Sequence, residues 1–186
     1  MVAAFLNLKY AYDSVDINTL VVHFQDMGLS SNIAKCIFEL FHCKILMLKN
    51  DIFNLGERFS FLGLPQGSPL SPFLFNVYTA SLKDYVTNGC DILQFADDFV
   101  LFSKHEDLSV AVRALNVALT KFCNWCNDHN FTISFSKTKA MVFTRKNSPQ
   151  EIPFMVFTRK NSPQEIPFIN VRGVRLEIVE SIRYLV

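Results

Sequence analysis

The stretch Asp91–Ser103, DILQFADDFVLFS, has two adjacent carboxylates, Asp97 and Asp98, between two apolar arms. Two apolar arms around a polar pair predict a β-hairpin with the acids at its tip. Paired carboxylates are costly to bury without a counter-ion, and Mg²⁺ prefers carboxylate oxygens together with water and substrate phosphates. A solvated turn is the competing interpretation, and for an isolated Asp-Asp pair it is the better one.

A second segment with a strong local signal is Gly63–Pro72, GLPQGSPLSP, which holds three prolines and two glycines in ten residues. This composition predicts a rigid loop of defined shape. Ser71 followed by Pro72 is typical of a helix start, and we expect that helix to run to about Val86.

The remaining N-terminal half alternates between strand and helix patterns. Val2–Leu8 is an apolar run interrupted by Asn7, as expected of a central strand. A helix from Asn18 should stop at Gly28. Ser31 is expected to cap the next helix, whose buried face would be Ile33, Cys36, Ile37, Leu40 and Phe41. Two strands should follow, joined by a loop around Asn50-Asp51 and Gly56: Lys44–Lys49 and Glu57–Leu62.

The C-terminal half continues the alternation. Apolar residues spaced by three and four from Leu108 to Cys126 predict a long amphipathic helix. Phe131–Phe135 and Ala140–Arg145 have strand composition, and Arg172-Gly173 should form a turn between the last two strands. Strands and helices in this order, with two hairpins, predict an α+β domain with a mostly antiparallel sheet.

Bulk composition restricts the function classes. The chain of 186 residues suits one domain, is half hydrophobic, and has a net charge of +1, with acidic residues in excess before residue 100 and basic residues in excess after it. Charge alone therefore does not indicate a nucleic-acid partner. No apolar run reaches membrane-spanning length, and the first residues do not have the pattern expected of a signal peptide. Five Cys favour a reduced intracellular setting, and the Cys123/Cys126 pair is interpreted as core-facing thiols because zinc would need further ligands.

Residues 141–154, MVFTRKNSPQEIPF, recur identically as residues 155–168. A structural repeat drifts in sequence and needs three or more units, so an identical pair indicates a recent tandem duplication or an assembly error. Either Met-Val-Phe-Thr-Arg segment could fill one strand position. We expect one copy to pair in or beside the sheet, and Pro149 and Pro163 to prevent a continuous strand through both.

Five segments follow one another along the chain: Phe5–Val15, Leu64–Asn76, Phe95–Asp98, Ser136–Lys139 and Ile182–Leu185. In this order they resemble motifs of reverse transcriptases from non-LTR (LINE-type) retrotransposons, most like the jockey-like elements. The first resembles the first palm motif, the third the aromatic-Ala-Asp-Asp box, and the last the opening of the primer grip. The resemblance implies that residues 1–186 are a partial reverse transcriptase domain, comprising the palm and part of the fingers. The palm would be a mostly antiparallel sheet with helices packed on one face. Template-covering finger strands, the thumb and the endonuclease segments of the parent polyprotein are expected to be missing.

The resemblance also implies roles for single residues. Two Mg²⁺ or Mn²⁺ ions would be held by Asp97, Asp98, the residue at position 7 and, as a weaker candidate, the backbone carbonyl of Leu8. Gln66 and Gly67 would contact the nucleotide, and Tyr12 would exclude a ribose 2′-hydroxyl. Lys137 is a weaker candidate for protonating pyrophosphate. Core packing of Tyr12 and a plain surface charge at Lys137 are the alternatives. The partners would be an RNA template, a DNA primer and dNTPs, at nuclear DNA in an active element.

Asn7 departs from the family pattern, which has Asp at this position as the ligand shared by both ions. Asn keeps the shape but lacks the charge, so the fold should survive while attraction to two dications weakens. We therefore expect an RNA-directed DNA polymerase by descent that is impaired or inactive in this copy. A silent remnant that at most binds nucleic acid is the alternative.

Overall fold

The computed structural model describes most of the chain, namely residues 1–49, 54–86, 89–143 and 169–179. These residues divide into two compact units. The first unit consists of Met1–Lys9, Leu82–Asp128 and the described residues from Thr132 onward; the second consists of Tyr10–Ser81 and His129–Phe131.

The first unit is built on a sheet around β1 (Val2–Lys9). Its other strands are β4 (Asp91–Phe95), β5 (Asp98–Ser103), β6 (Thr132–Ile133), β7 (Lys139–Val142) and β10 (Glu177–Ile178). The strand order is β10-β7-β1-β5-β4, and the short β6 also pairs with β1. Every pairing is antiparallel except that of β10 with β7, which confirms the expected mostly antiparallel sheet.

One long helix, α5 (Leu108–Asp128), packs against β1 and β5. The residues it buries include Leu115, Leu119 and Phe122 of the apolar stripe expected from the sequence. Phe122 meets Phe99 of β5 edge-on, with ring centroids 5.6 Å apart. The face of the sheet that carries Phe99 is therefore sealed by the helix, as one apolar stripe per helix requires.

Before α5, the short helix α4 (Leu82–Tyr85) also belongs to the first unit. After β7, a hairpin of β8 (Asn170–Val171) and β9 (Val174–Arg175) turns at Arg172-Gly173. The expected turn is confirmed, but it does not join the last two strands, because β10 follows β9. Arg172 attaches this hairpin to α5 by donating to the carbonyl oxygen of Cys123 at 3.2 Å.

The second unit starts with a 3₁₀ turn at Tyr12–Ser14 and the helix α1 (Ile17–Asp26). The Asp16 carboxylate caps α1 by accepting from the backbone N–H groups of Asn18 and Thr19 at 3.2 and 3.1 Å. This cap stabilises the start of the helix, since it satisfies N–H groups that have no partner within the helix. Gly28, at φ +78°, follows the helix end as expected.

The next helix, α2 (Ser31–Phe41), corrects two expectations. Ser31 is its first residue rather than its cap, and Ser30 stands at the cap position without a side-chain hydrogen bond. The expected buried face is confirmed at Phe41, which is buried, but is wrong at Ile33 and Leu40, which are 50% and 59% exposed. The other residue that the helix buries is Ala34, two turns before Phe41, because that stripe is the one it turns toward the rest of its unit.

The strands β2 (Lys44–Lys49) and β3 (Asn54–Ser60) form a hairpin. Gly56 was expected in the connecting loop but lies within β3, where the register shifts by one residue relative to β2. A glycine inside a strand commonly marks such a bulge. Asn50 and Asp51 lie outside the described residues.

The helix expected to run from Ser71 to about Val86 is interrupted. It ends as α3 (Ser71–Thr79), and α4 begins at Leu82. The Thr79 hydroxyl donates to the carbonyl oxygen of Phe75 at 3.0 Å, a local bond that competes with the helix ladder and favours a bend.

The duplication is visible where its first copy begins. Met141 and Val142 pair with Ala3 and Val2 of β1, and the N–H of Phe143 donates to the Met1 carbonyl at 2.8 Å. The expectation that one copy enters the sheet is confirmed for these residues. The rest of both copies, including Arg145, Pro149 and Pro163, and the Ile182–Leu185 motif lie outside the described residues. Within the described ranges, no helix has the length and apolar character needed to cross a membrane.

Candidate active site

The carboxylate pair lies where the hairpin of β4 and β5 turns. Phe95 pairs with Asp98, which leaves Ala96 and Asp97 as the two turn residues. Ala96 has φ +52°, a left-handed backbone that costs a residue with a side chain roughly 1–2 kcal/mol. Gln94 supports the turn by donating from its side-chain amide to the Ala96 carbonyl at 3.0 Å. The expected hairpin with acids at its tip is confirmed.

The adjacent strand brings Asn7 to the same position. Asn7 is paired with Asp98 in the register of β1 and β5. Its amide nitrogen donates to a carboxylate oxygen of Asp98 at 3.1 Å. Both side chains are half-buried. Asn7 and Asp98 thus lie in contact at this end of the sheet, and Asp97 is the residue before Asp98 in the turn.

The amide of Asn7 faces Asp98 with its donor rather than its acceptor. An amide oxygen against a carboxylate would be repulsive, whereas the N–H group forms a hydrogen bond. An aspartate at position 7 would instead bring two negative charges to this separation. Two carboxylates at this separation would need a cation to neutralise their repulsion. The contact between Asn7 and Asp98 is satisfied without a cation.

The donor set can be compared with what a divalent cation requires. Asp97 and Asp98 provide two carboxylates, which suits a hard cation that prefers oxygen ligands. Asn7 adds a neutral oxygen only if its amide turns away from Asp98. Among the described residues, no three His, Cys, Asp or Glu side chains form a group that could hold a metal ion. The arrangement fits a cation bound by two carboxylates more weakly than three would bind it.

Leu8 follows Asn7 in β1, and the turn that carries Lys137 is hydrogen-bonded to the same end of this strand. The N–H of Ser134 donates to the Asn7 carbonyl at 2.8 Å, and the carbonyl of Ser134 accepts from the N–H of Lys137 at 3.1 Å. The side chain of Lys137 is exposed. Leu8 is buried and pairs with Ile133 of β6. The turn that carries Lys137 is thus hydrogen-bonded to the segment that carries Asn7.

The three predicted nucleotide-contacting residues lie in the second unit. Tyr12 is half-buried and stacks on Phe75 of α3, with ring centroids 4.6 Å apart. Its carbonyl accepts from the N–H of Leu64 at 2.8 Å, at the start of the loop that carries Gln66 and Gly67. Gln66 is exposed, and Gly67 has φ +87° with open space where a Cβ would stand. The structure therefore joins Tyr12 to this loop through the backbone.

Sequence reasoning missed the residues that hold the loop in place. Gly63 lies so close to the turn that a Cβ there would stand 2.7 Å from the Asp13 Cα. Lys44 donates from its ammonium to the carbonyls of Leu62 and Gly63. The glycine immediately before the Leu-Pro-Gln-Gly run was a usable signal for the close approach. Lys44 had none, because its role depends on a contact between distant segments.

The interpretation of Cys123 and Cys126 as core thiols is confirmed, since both are buried in α5. Burial raises the pKa of both thiols, and the charge of Arg172 opposes that shift only in part. A raised pKa leaves little thiolate near neutral pH, so neither is suited to nucleophilic or metal-binding chemistry.

Comparison with known families gives a match over almost the whole chain. The family described as "Reverse transcriptase (RNA-dependent DNA polymerase)" matches residues 1–185. The "RNA-directed DNA polymerase from mobile element jockey" of Drosophila funebris is 26% identical over 148 residues, which is 76% of this chain and 16% of that protein. The "Probable RNA-directed DNA polymerase from transposon BS" of Drosophila melanogaster is 33% identical over 98 residues, which is 49% of this chain and 11% of that protein. The chain thus spans less than one fifth of either relative.

Solved structures with the same fold include telomerases. The apo telomerase of Candida tropicalis, truncated from its C-terminal domain, has a TM-score of 0.58 at 14% identity and covers 83% of this chain and 32% of its own. Telomerase of Candida albicans, in complex with a fragment of telomeric RNA, has a TM-score of 0.55 at 14% identity and covers 83% of this chain and 28% of its own. At this identity the likeness concerns the fold alone, and it agrees with the expected palm.

Proposed function

Because this chain belongs to the reverse transcriptase (RNA-dependent DNA polymerase) family, we propose that its parent protein is an RNA-directed DNA polymerase of a non-LTR retrotransposon. The parent would add nucleotides from dNTPs to a primer 3′-hydroxyl on an RNA or DNA template. In this copy the activity is lowered by Asn7. The observation that supports this is the 3.1 Å hydrogen bond from the Asn7 amide to Asp98, at the position where the family has a third carboxylate.

Divalent ions, two in the proposed site, would activate the primer hydroxyl and stabilise charge on the transferred phosphoryl group and on the pyrophosphate that leaves. The protein's part is to hold and orient. Asp97 and Asp98 would supply the anionic oxygens from the hairpin tip, and the backbone carbonyl of Leu8 is a further, neutral candidate. Lys137, exposed on its turn, would place a cation near the phosphates.

The second unit would serve the incoming nucleotide. Gln66 and Gly67 are exposed on a loop whose shape is fixed by prolines and by the hydrogen bond from the Ser71 hydroxyl to the Pro65 carbonyl at 2.7 Å. Tyr12 is held by stacking on the fully buried Phe75, so its ring would present a fixed surface toward a ribose. A rigid ring excludes a 2′-hydroxyl better than a mobile one, because it cannot yield to the larger sugar.

The size of the defect follows from the charge that Asn7 lacks. If its absence removes roughly 3–5 kcal/mol from metal binding and transition-state stabilisation, the rate falls by about 10²–10⁴-fold. Asp13 is not assigned the role of the missing ligand, since it lies in the 3₁₀ turn, six positions further along the chain and beyond the end of β1.

Primer extension tests this proposal. The chain alone should show no measurable extension with Mg²⁺, before or after Asn7→Asp. A hybrid in which a jockey-like relative supplies the flanking fingers and thumb should gain at least about tenfold in rate from Asn7→Asp, equal to about 1.4 kcal/mol. Equal rates for the hybrid with and without Asn7→Asp would refute the assignment of position 7.

The same observation favours a second candidate, a silent remnant that only binds nucleic acid. If the chain is such a remnant, the hybrid should bind a primer–template but remain inactive in extension even with Asn7→Asp. Measuring binding and extension on the same hybrids separates the two functions.

A further inference from the structure

We infer that Lys44 is a positioning residue that holds the base of the nucleotide loop in register, a role that rests on the proposed function of Gln66 and Gly67. The short segment Leu62–Leu64 leads into that loop. Its N–H groups donate to the 3₁₀ turn and the residue after it, and two of its carbonyls accept from the ammonium of Lys44.

Backbone contacts hold the segment Leu62–Leu64 against the 3₁₀ turn and the residues that follow it. The N–H groups of Gly63 and Leu64 donate to the carbonyls of Val15 and Tyr12, each at 2.8 Å, and Leu62 forms a bridge with Asp16. Gly63, at φ +84°, approaches the backbone of Asp13 so closely that no larger residue fits. The segment is thus positioned against the turn that carries Tyr12.

Two carbonyl groups of the segment Leu62–Leu64 bind the Lys44 side chain. The Lys44 ammonium donates to the Leu62 carbonyl at 2.5 Å and to the Gly63 carbonyl as well. The Leu62 carbonyl also accepts from the Ser60 hydroxyl at 3.3 Å, so the Gly63 carbonyl, whose bond to Lys44 is partly buried, depends more on this ammonium. A partly buried carbonyl left without a partner is costly. Lys44 reaches them from β2, where it pairs with Ser60 of β3.

The position is unfavourable for the ammonium itself. Burial lowers the pKa of Lys44 because the charged form loses hydration, and the nearby Asp13 carboxylate opposes that shift only in part. A lysine placed for solubility or overall stability would remain in water, as Lys35 does on α2, where it pairs with Glu39 on the surface. Desolvation at Lys44 is instead accompanied by two bonds to one loop segment.

Beyond this segment the loop has further hydrogen bonds. The Ser71 hydroxyl donates to the Pro65 carbonyl at 2.7 Å, and the N–H groups of Ser68 and Ser71 donate to the carbonyls of Pro65 and Ser68, whereas Gln66 and Gly67 are exposed. Lys44 therefore fixes the base of the loop from which the nucleotide-contacting residues project. It also makes the position of that base depend on the β2–β3 hairpin.

The test compares Lys44→Met with Lys44→Arg and with Lys35→Met as a matched control, in the full chain. Amide hydrogen exchange is measured at Gly63 and Leu64, and dNTP affinity is measured by titration of a fluorescent dNTP in the presence of Mn²⁺. We expect Lys44→Met to lower protection at both amides by about tenfold and dNTP affinity by at least about threefold, with little change in thermal midpoint. Lys44→Arg should restore both values, since the guanidinium keeps charged donors, and Lys35→Met should change neither.

Unchanged protection at Gly63 and Leu64 in Lys44→Met would overturn the inference. So would a general loss of protection matched by Lys35→Met, or lost protection with unchanged dNTP affinity. If the parent chain binds no dNTP, the proposed function fails at this loop, and the exchange comparison alone then decides the role of Lys44. If Lys44→Met does not fold, Lys44→Gln, which keeps a shorter neutral donor, is judged by the same criteria.

Discussion

Replacing Asn7 by aspartate should convert a hydrogen bond into a repulsion that only a cation can relieve. The amide nitrogen of Asn7 lies 3.1 Å from a carboxylate oxygen of Asp98. At that separation two unit charges repel by about 1 kcal/mol in water and about 5 kcal/mol at an effective dielectric constant of 20. Both side chains are half-buried, so a value of about 2 kcal/mol is expected, with about 1 kcal/mol more for the lost hydrogen bond.

The metal-free Asn7→Asp chain should therefore unfold about 6–12 °C below the parent at neutral pH, given about 2–4 °C for each kcal/mol in a domain of this size. The deficit should shrink in acid, because the repelling pair can then share a proton. Addition of Mg²⁺ or Mn²⁺ at about ten times its dissociation constant should return about 1.4 kcal/mol. The parent chain should respond much less to either ion.

Thermal unfolding in chelator and in a Mg²⁺ series, followed by circular dichroism, measures these effects. Asn7→Ala is the control for the hydrogen bond, since it removes the donor without adding charge and should show no metal response. Asn124→Asp, at an exposed position on α5, controls for net charge. An Asn7→Asp chain that is as stable as the parent in chelator and indifferent to Mg²⁺ would show that position 7 does not face Asp98.

Three further predictions concern the framework, all measured by equilibrium unfolding. Gly63→Ala should destabilise the fold by about 3 kcal/mol or more, because the residue has a positive φ and its new Cβ would clash with the Asp13 backbone. Gly67→Ala, whose Cβ would lie in open space, should cost only the backbone strain of about 1–2 kcal/mol. Equal losses of stability in the two variants would contradict the close approach of Gly63 to Asp13. Asp16→Ala should cost about 1 kcal/mol. Burial acts to raise the pKa of Asp16, but hydrogen bonds from Thr19 and Asn18 outweigh it, so the pKa of Asp16 is lowered in the folded state. The contribution of Asp16 to stability is therefore present above its unfolded-state pKa and is lost as the pH falls through its folded-state pKa. A loss of stability in Asp16→Ala that is constant with pH would contradict the cap. Deletion of residues 155–168 should leave stability unchanged or raise it, because the first copy already pairs with β1; a marked loss would mean that both copies contribute to the core.

The elements that could be predicted from the sequence are those whose pattern is complete within one segment. β1 reads as a central strand because its residues are apolar on both faces, and the structure pairs it on both sides. The hairpin with Asp97 at its turn and the helix α5 have equally complete signals, one of period two and one of period 3.6. In each case the neighbouring strand or helix only confirms what the local pattern requires.

The errors arose where the outcome depends on a distant segment. The apolar stripe of α2 is real, but which stripe becomes buried depends on the element it meets, and the helix turned Ala34 inward instead of Ile33. Gly56 has the composition of a loop residue, yet pairing with β2 extended the strand through it. The contact of Lys44 with the Gly63 carbonyl has no periodicity and could not be read from either segment.

On the proposed assignment of position 7 as a metal ligand, Asn7 shows how such a ligand can be lost without damage to the fold. With aspartate at position 7, three carboxylates would repel one another and a bound cation would supply the compensating charge, so part of the stability would depend on the ion. With Asn7, the amide donates to Asp98 and the pair is satisfied by the protein alone. On the proposed assignment, a substitution that weakens the chemistry would therefore also remove the dependence of this sheet end on a metal. A chain with Asn7 can in this way keep its hairpin, its register and its core without a cation, and the structure shows a hydrogen-bonded Asn7–Asp98 pair within a mostly antiparallel sheet.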